Sequence, residues 1–287
     1  MSEKHIDDVT GVETTGHVWD GIRELNNPLP RWWLWTFYLC IIWAVIYMFF
    51  YPAIPLIGGA TKGYLGYSSR ADVVSELADA QAAQGALLEK IASTPIDQIE
   101  GNQELLEFAI AGGSSAFKVN CAQCHGSGAS GSMGYPNLND DDWLWGGTVD
   151  QIYQTIAHGI RYDADEDTRS SMMPAFGDIL EPDQIKQVAA YVISSSSTPS
   201  DPALVEPGKV VFAENCAACH GDNAEGIQDF GAPRLSDGIW LKASTEAEIA
   251  SQIRNPKHGV MPAWVGRLGE PTIKQLAVYV HTLGGGQ

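Results

Sequence analysis

Residues 113–126 and residues 208–221 carry the same pattern of amino acids, 95 positions apart. Each copy reads Gly-x-x-x-Phe-x-x-Asn-Cys-x-x-Cys-His-Gly. The chain has 287 residues, a length that accommodates two domains with additional segments. The repeat therefore predicts two related units, each folded around its own Cys-x-x-Cys-His sequence.

The Cys-x-x-Cys-His spacing is typical of c-type haem attachment. Two thiols separated by two residues on a helical turn reach the two vinyl groups of one haem, and the following histidine lies under the iron. The residues predicted to do this are Cys121, Cys124, His125, Cys216, Cys219 and His220. A redox cysteine pair does not need the histidine, and a zinc site usually combines two such cysteine pairs in one short module. The sequence therefore predicts two covalently bound haem c groups and no catalytic residues.

A second axial ligand is expected from the C-terminal part of each unit. Met173-Pro-Ala matches Met261-Pro-Ala 88 positions later, and near-identical helices follow both. A methionine opposite histidine raises the reduction potential of haem iron and suits electron transfer. Met173 and Met261 are therefore the predicted ligands, with Met172 as the alternative to Met173. His158 and His258, each before a glycine, are alternatives that would give bis-histidine iron.

Further matches connect the haem motifs to the Met-Pro loops. Each unit reads as a helix with the haem motif, a loop, a short helix, the Met-Pro loop and a closing helix. Gly113 and Gly208 lie where another helix can approach closely, and Tyr191 and Tyr279 on the closing helices are candidate partners in that crossing. This order is that of small all-α cytochrome c domains.

Residues Trp32 to Tyr51 form an apolar run of 20 residues without a charge. As a helix this run spans about 30 Å, the thickness of the hydrocarbon core of a bilayer. A cleaved signal peptide is the alternative, but the run is long and aromatic and 31 residues precede it. The predicted fold is all-α, with one N-terminal transmembrane helix followed by two tandem cytochrome c domains.

The remaining segments complete a predicted order of domains. A helical spacer is expected between the anchor and the first haem domain, with a helix from Ser69 to before Pro95. A second helix, around Glu104 to Ala111, is expected just before the first haem motif. Ser and Pro residues form the linker between the two haem domains. The predicted ranges are 1–31 for an N-terminal tail, 32–51 for the anchor, 52–101 for the spacer, 102–193 for the first cytochrome domain, 194–203 for the linker and 204–287 for the second cytochrome domain.

The net charge is −18, which argues against nucleic-acid binding. An acidic surface would steer a positively charged electron donor, or it is simply a solvated surface. Basic residues are equally frequent on the two sides of the anchor, so they do not set its orientation. Because c-type haem is attached on the outer face of bacterial membranes, the tail is predicted to be cytoplasmic and the haem domains periplasmic.

Two phrases at the ends of the chain resemble a known family. Residues 24–33 read ELNNPLPRWW before the single span, which ends Tyr51-Pro52-Ala53, and residues 279–286 read YVHTLGGG. Together with the two haem motifs and Met-Pro loops, these are similar to the dihaem subunit of cbb3-type cytochrome c oxidase. The resemblance covers nearly the whole chain, which carries one span where some members have two.

The resemblance implies a role in aerobic respiration at the bacterial inner membrane, with a single membrane pass. The subunit would accept electrons from a soluble or membrane donor cytochrome c. It would pass them, via a monohaem cytochrome c subunit, toward a catalytic haem-copper subunit that reduces oxygen to water and pumps protons. The family also implies that the Met loop of one domain can serve the haem of the other, so the pairing of Met173 and Met261 with the two irons stays open.

Two other functions fit parts of the sequence. A free-standing, membrane-anchored dihaem electron carrier would show the same haem motifs. A dihaem peroxidase would need one iron with an open coordination position and a much longer chain for each domain, so two short units with two Met ligands argue against it.

Overall fold

The computed structural model describes residues 5–286, and residues 1–4 of the predicted tail and Gln287 of the predicted second cytochrome domain lie outside it. Helices dominate, as the all-α prediction requires. Two small antiparallel hairpins are additions that the sequence reasoning missed. The first pairs β1 (Thr14–Trp19) with β2 (Ile22–Leu25), and the second pairs β3 (Pro55–Leu56) with β4 (Gly59–Ala60).

Helix α1 spans Arg31–Phe50, within one residue of the predicted run at either end. It has 20 residues and a mean hydropathy of 1.9, and none of its residues is buried. Its length and composition match a membrane span, and all of its apolar side chains are available to lipid.

Eleven more helices follow within the described residues. They are α2 (Ser69–Ser93), α3 (Ile96–Ile99), α4 (Gln103–Asn120), α5 (Ala122–His125), α6 (Val149–His158), α7 (Pro182–Ser194), α8 (Val205–Asn215), α9 (Ala217–His220), α10 (Glu246–Arg254), α11 (Val265–Leu268) and α12 (Glu270–His281). Short 3₁₀ turns lie at Phe176–Asp178, Pro202–Leu204 and Gln228–Phe230.

Corresponding helices of the two halves begin in the same way. Thr148 caps α6 and Thr245 caps α10, each in a reciprocal bond with the Gln or Glu three residues later. This arrangement satisfies backbone N–H groups that a helix leaves free at its start. Both helices then bury isoleucines four residues apart on one face, Ile152 and Ile156 in α6 and Ile249 and Ile253 in α10. The repeat in sequence is thus a repeat in local structure.

The tertiary packing exchanges the closing helices between the two halves. Helix α12, from the end of the chain, packs on α4 and α6, whereas α7 packs on α8 and α10. We call the assembly of α3–α6 with α11 and α12 the first body, and the assembly of α7–α10 the second body. Each body therefore combines a haem motif from one half of the sequence with the Met loop and closing helix from the other half.

Two glycines make this exchange possible. A Cβ atom on Gly113 of α4 would lie 2.2 Å from the Gln275 backbone oxygen in α12, and one on Gly208 of α8 would lie 2.0 Å from the Gln187 backbone oxygen in α7. Aromatic pairs flank both crossings, with ring centroids 5.6 Å apart for Phe117 and Tyr279 and 5.2 Å apart for Phe212 and Tyr191. The predicted helix crossings are confirmed, and the tyrosine at each one comes from the other half of the chain.

The core of the first body begins before residue 102. Ile91, Ile96 and Ile99 are buried in it beside Phe117. Lys274 of α12 is also buried, and its ammonium donates to the backbone oxygens of Ala92 at 2.7 Å and Thr94 at 3.0 Å, at the end of α2. A cation at a helix C-terminus compensates the helix dipole and satisfies free carbonyls. The end of the predicted spacer is therefore part of the first body.

The glycine-rich end of the chain also packs on the first half. The indole N–H of Trp143 donates to the Gly285 backbone oxygen. A Cβ on Gly285 would lie 1.8 Å from the Asp140 backbone oxygen. Glycine is required at this position because the C-terminal end of the chain lies directly on the backbone of the loop that precedes α6.

Candidate haem sites

Each Cys-x-x-Cys-His motif is a tight helical turn that continues from a longer helix. In the first motif, the Cys121 N–H donates to the Phe117 oxygen at 2.8 Å, and the His125 N–H donates to the Cys121 oxygen at 2.9 Å. Gly126 then ends the turn with a φ of 81°, a conformation that favours glycine. Both thiols and the imidazole are thereby held within one turn.

The second motif repeats this geometry. The Cys216 N–H donates to the Phe212 oxygen at 2.8 Å, the His220 N–H donates to the Cys216 oxygen at 3.0 Å, and Gly221 has a φ of 80°. In both motifs the first cysteine is half-buried and the second is exposed. Two thiols of different exposure on one turn suit attachment along one edge of a flat ligand.

The two histidines are oriented by backbone oxygens. Nδ1 of His125 lies 3.1 Å from the Pro136 oxygen, and Nδ1 of His220 lies 3.0 Å from the Pro233 oxygen. Because a carbonyl only accepts, Nδ1 carries the proton and Nε2 keeps its lone pair for a metal. Burial lowers the pKa of both imidazoles, and the carbonyl bond opposes this in part. Neutral imidazoles with a free Nε2 are the form that binds iron.

The half-buried thiols are held in the protonated form before they are modified. Burial, with a smaller contribution from the neighbouring cysteine, raises the pKa of Cys121 and of Cys216 to about 11. A thiol of this kind is a poor spontaneous nucleophile at neutral pH. Such a pair is unlike a redox-active Cys-x-x-Cys, in which a lowered pKa is needed.

Met173 lies in the second body. It packs against the core that contains Phe212 and Cys216. Together with Cys219 and His220 it lines a cavity of about 270 Å³. The cavity wall is largely apolar, which suits the faces of a porphyrin.

Met261 lies in the first body and packs against the core that contains Phe117 and Cys121. Its backbone forms a two-way bridge with Ile160, with N–O distances of 2.9 and 3.0 Å. The Trp264 N–H donates to the Ala157 oxygen at 3.1 Å. The Met-Pro loop of the second half is thus fastened to the end of α6 in the first half.

The alternative ligands have different surroundings. Met172 is 65% exposed, whereas Met173 is half-buried against the core. Nδ1 of His158 lies 3.1 Å from an oxygen of Asp165. His258 lines the same cavity as Met173. Burial and the charges of Arg161 and Lys242 lower the pKa of His258, and a hydrogen bond with the Met173 backbone opposes this lowering.

The residues present fit two haem c groups. In the second body Cys216, Cys219, His220 and Met173 line one cavity, and in the first body Cys121 and Met261 pack on one apolar core. The histidine of each motif has a free Nε2. A histidine nitrogen and a methionine sulfur would together hold each iron. The arrangement suits electron transfer rather than binding of a substrate to the metal.

The sequence reasoning missed a group of basic residues at the second site. Arg161, Arg234, Lys242 and Lys257 line its cavity in a chain that is strongly acidic as a whole. Arg161 also stands over the ring of Trp145, 6.0 Å from the ring centroid. Isolated basic residues scattered over about 100 positions give no pattern that reveals their convergence.

Comparison with known proteins identifies relatives over the full length. The family described as cytochrome C oxidase, cbb3-type, subunit III matches residues 108–192 and 203–280, and the N-terminal domain of cytochrome oxidase-cbb3, FixP, matches residues 11–58. The cbb3-type cytochrome c oxidase subunit FixPc of Rhizobium leguminosarum bv. viciae is 63% identical over all of both chains. Subunit FixP of Rhizobium meliloti (strain 1021) is 61% identical over 99% of this chain and 98% of its own, and subunit CcoP of Azospirillum brasilense is 53% identical over all of both chains.

These matches confirm several predictions. The tandem cytochrome domains confirm the fold class and the two haem c groups. The N-terminal match, together with α1, identifies a membrane-anchored protein. On the extent of the family match and the identity to full-length relatives, this chain belongs to the cbb3-type cytochrome c oxidase subunit III family.

Proposed function

We propose that this chain is the dihaem electron-transfer subunit of a cbb3-type oxidase and passes electrons toward a catalytic subunit that reduces oxygen. The observation that carries the proposal is that Cys216, Cys219, His220 and Met173 line one cavity, with Cys121 and Met261 packed on one core in the other body. The histidine of each motif is oriented by a backbone carbonyl. When bound, the haems supply reversible one-electron oxidation and reduction.

We assign the attachment and axial roles residue by residue. Cys121 and Cys124 bind one haem, and Cys216 and Cys219 bind the other. His125 and His220 would supply a nitrogen ligand to each iron, and Met173 and Met261 would supply the sulfur ligands.

The pairing of these ligands follows the exchanged packing. Met261 serves the haem at Cys121 because both pack on one core, and Met173 serves the haem at Cys216 because both line one cavity. The sequence ranges 102–193 and 204–287 then describe the two repeats, and each working haem site draws on both.

The chain's own residues keep the metal sites closed. The carbonyls of Pro136 and Pro233 fix the imidazole tautomers, and the apolar cores around Phe117 and Phe212 exclude water. A site that keeps its ligands in both redox states reorganises little, which favours fast electron transfer. It also leaves no position for oxygen, so oxygen chemistry belongs to a partner subunit.

The proposed arrangement in the membrane follows from α1 together with the attachment of c-type haem on the outer face of bacterial membranes. The tail before it lies in the cytoplasm, and the haem domains lie in the periplasm, where a donor cytochrome c can reach them. The proposed partners are a catalytic haem-copper subunit, a monohaem cytochrome c subunit and a soluble or membrane donor cytochrome c. Oxidase membership supports the first of these most directly.

Purification from the native membrane in mild detergent tests the proposal. We expect b-type haem and copper to co-purify with two c-type haems per copy of this chain, and the preparation to consume oxygen with a reduced cytochrome donor. Recovery of c-type haem alone, under conditions that keep other membrane complexes intact, would instead identify a free-standing electron carrier.

A further inference from the structure

A single side chain connects the two Met loops. Nε of Arg161 donates to the Gly259 backbone oxygen at 2.8 Å, and Nη1 donates to the Ser171 backbone oxygen at 2.8 Å. Gly259 lies two residues before Met261, and Ser171 lies two residues before Met173. Arg161 therefore bonds the equivalent carbonyl, two residues before the methionine, in both loops, one from each half of the chain.

The two loops differ in a way that gives Arg161 this place. Met173 follows His158 by 15 residues, whereas Met261 follows His258 by only three. The first loop is therefore longer than the second, and Arg161 lies at the start of this extra length. Its φ of 50° lies in the left-handed region. That conformation is strained for a residue with a side chain and persists only where the surroundings enforce it. Here the backbone N–H of Arg161 donates to the Arg169 backbone oxygen, and the guanidinium is held by its two bonds to the Met loops.

The charge of Arg161 has no acidic partner among the residues that the structure describes. Ion pairs within 4 Å are found for several other cations in residues 5–286, but none involves this guanidinium. Burial lowers its pKa, and its neighbours in the cavity wall include Lys242. A half-buried cation without an anion is costly. A haem c carries two carboxylates, and the cavity that Arg161 lines also contains Cys216, Cys219 and His220.

We propose that Arg161 is a positioning residue for both axial methionines and the counter-charge for a carboxylate of the haem at Cys216 and Cys219. The inference rests on the axial roles proposed above. A planar guanidinium is suited to this task because its N–H groups point in fixed, diverging directions, so it can bond two carbonyls and an anion together. The two haems are then coupled through one residue, since displacement of Arg161 frees both loops.

The test compares R161Q and R161K with R169Q in the full-length chain in detergent. Arg169 is a matched control because it lies on the same loop and over the same Trp145 ring, 5.6 Å from the centroid, but bonds the Trp145 and Gln151 oxygens instead of a Met loop. The readouts are haem content per chain, the methionine-to-ferric-iron charge-transfer absorption and a potentiometric titration that resolves the two haems.

We expect R161Q to keep two haems per chain, to lower both midpoint potentials and to weaken the charge-transfer absorption. The second haem should shift further, because it also loses the cation that disfavours its ferric state. R161K should recover most of that additional shift but not the absorption, since an ammonium lacks the diverging donors. R169Q should match the wild type in all three readouts.

Unchanged potentials and absorption in R161Q, or equal changes in R169Q, would overturn the proposal. If R161Q does not accumulate, R161K decides, and wild-type absorption in R161K would overturn the positioning role. Absence of the charge-transfer absorption from the wild-type protein would instead show that the axial assignment has failed, which separates the two possibilities.

Discussion

The first and second bodies share a haem-motif helix and a closing helix, but they differ in what surrounds these elements. The first body adds the end of α2, helix α3 and the glycine-rich end of the chain around its core. The second body lacks these additions and has a cavity lined by basic residues. Equivalent positions in a sequence repeat can therefore have different physical environments, and the exchange of α7 and α12 makes each body depend on both halves.

Lys186 and Lys274 show this difference most clearly. Both follow the first isoleucine of a closing helix in the same Ile-Lys-Gln sequence. The Lys186 side chain is 61% exposed and pairs with Asp183 at 2.9 Å, whereas the Lys274 side chain is 10% exposed and bonds the end of α2. Both lysines form an ion pair within their own helix, but only Lys274 is buried and also caps another helix.

The largest expected effect comes from adding one methyl group at a helix crossing. Gly113→Ala should destabilise the first body by about 1–3 kcal/mol or more, because the new Cβ meets a backbone oxygen that cannot rotate away. Gly208→Ala should do the same to the second body. Hydrogen exchange resolved by peptide should show faster exchange in α4 and α12 for the first variant, and in α7 and α8 for the second.

Gly112→Ala is the matched control for that comparison. Its new Cβ would meet first the amide end of the Gln275 side chain, not backbone. Moving that amide breaks its bond to the Phe108 oxygen, at 3.4 Å, and the gain of about 1 kcal/mol from alanine in a helix offsets this loss. We expect exchange rates close to those of the wild type. If Gly113→Ala accelerates exchange in α7 rather than α12, the exchanged packing is wrong.

A smaller effect is expected from the two lysines. Lys274→Met should destabilise the first body by roughly 1.5–3 kcal/mol, because it removes charged hydrogen bonds to carbonyls at the end of α2. Lys186→Met removes an exposed pair and should cost about 0–1 kcal/mol. Thermal unfolding monitored by helical circular dichroism checks the difference, and equal losses in the two variants would mean that the two closing helices have similar environments.

The smallest effects should be equal in the two bodies. Thr148→Ala and Thr245→Ala each remove a capping bond at an exposed helix start, and each should cost about 1 kcal/mol. Thr→Ser at either position keeps the hydroxyl and serves as the control. Denaturant unfolding of the four variants measures these losses, and a marked inequality between the two alanine variants would show that the similarity of the bodies does not extend to α6 and α10.

Local chemistry explains how much of the structure could be predicted from the sequence. The haem turns, the anchor helix and the spacer helix from Ser69 to Ser93 each depend on neighbouring residues, and the structure contains all of them. The hairpin in the tail was missed although Asp20-Gly21 is a turn signal, and both residues have positive φ angles, of 49° and 87°.

The residue pattern alone does not reveal the exchange of closing helices, and the family resemblance left open which Met loop serves which haem. Helices α7 and α12 carry nearly the same residues on the face that meets a haem-motif helix, including Tyr191 and Tyr279. Either helix would therefore fit either groove. What distinguishes them is long-range packing, such as the bonds of Lys274 to α2, which periodicity does not reveal.

The central claim is that each iron is bound by a histidine from one half of the chain and a methionine from the other. Nuclear magnetic resonance of the reduced, detergent-solubilised protein, labelled with ¹³C at the methionine methyl groups, tests it directly. Met173→Leu and Met261→Leu variants assign the two strongly shifted methyl signals. We predict that the Met173 methyl shows Overhauser contacts to the thioether groups at Cys216 and Cys219, and that the Met261 methyl shows contacts to those at Cys121 and Cys124. Contacts of Met173 with the thioethers at Cys121 and Cys124 would contradict the account.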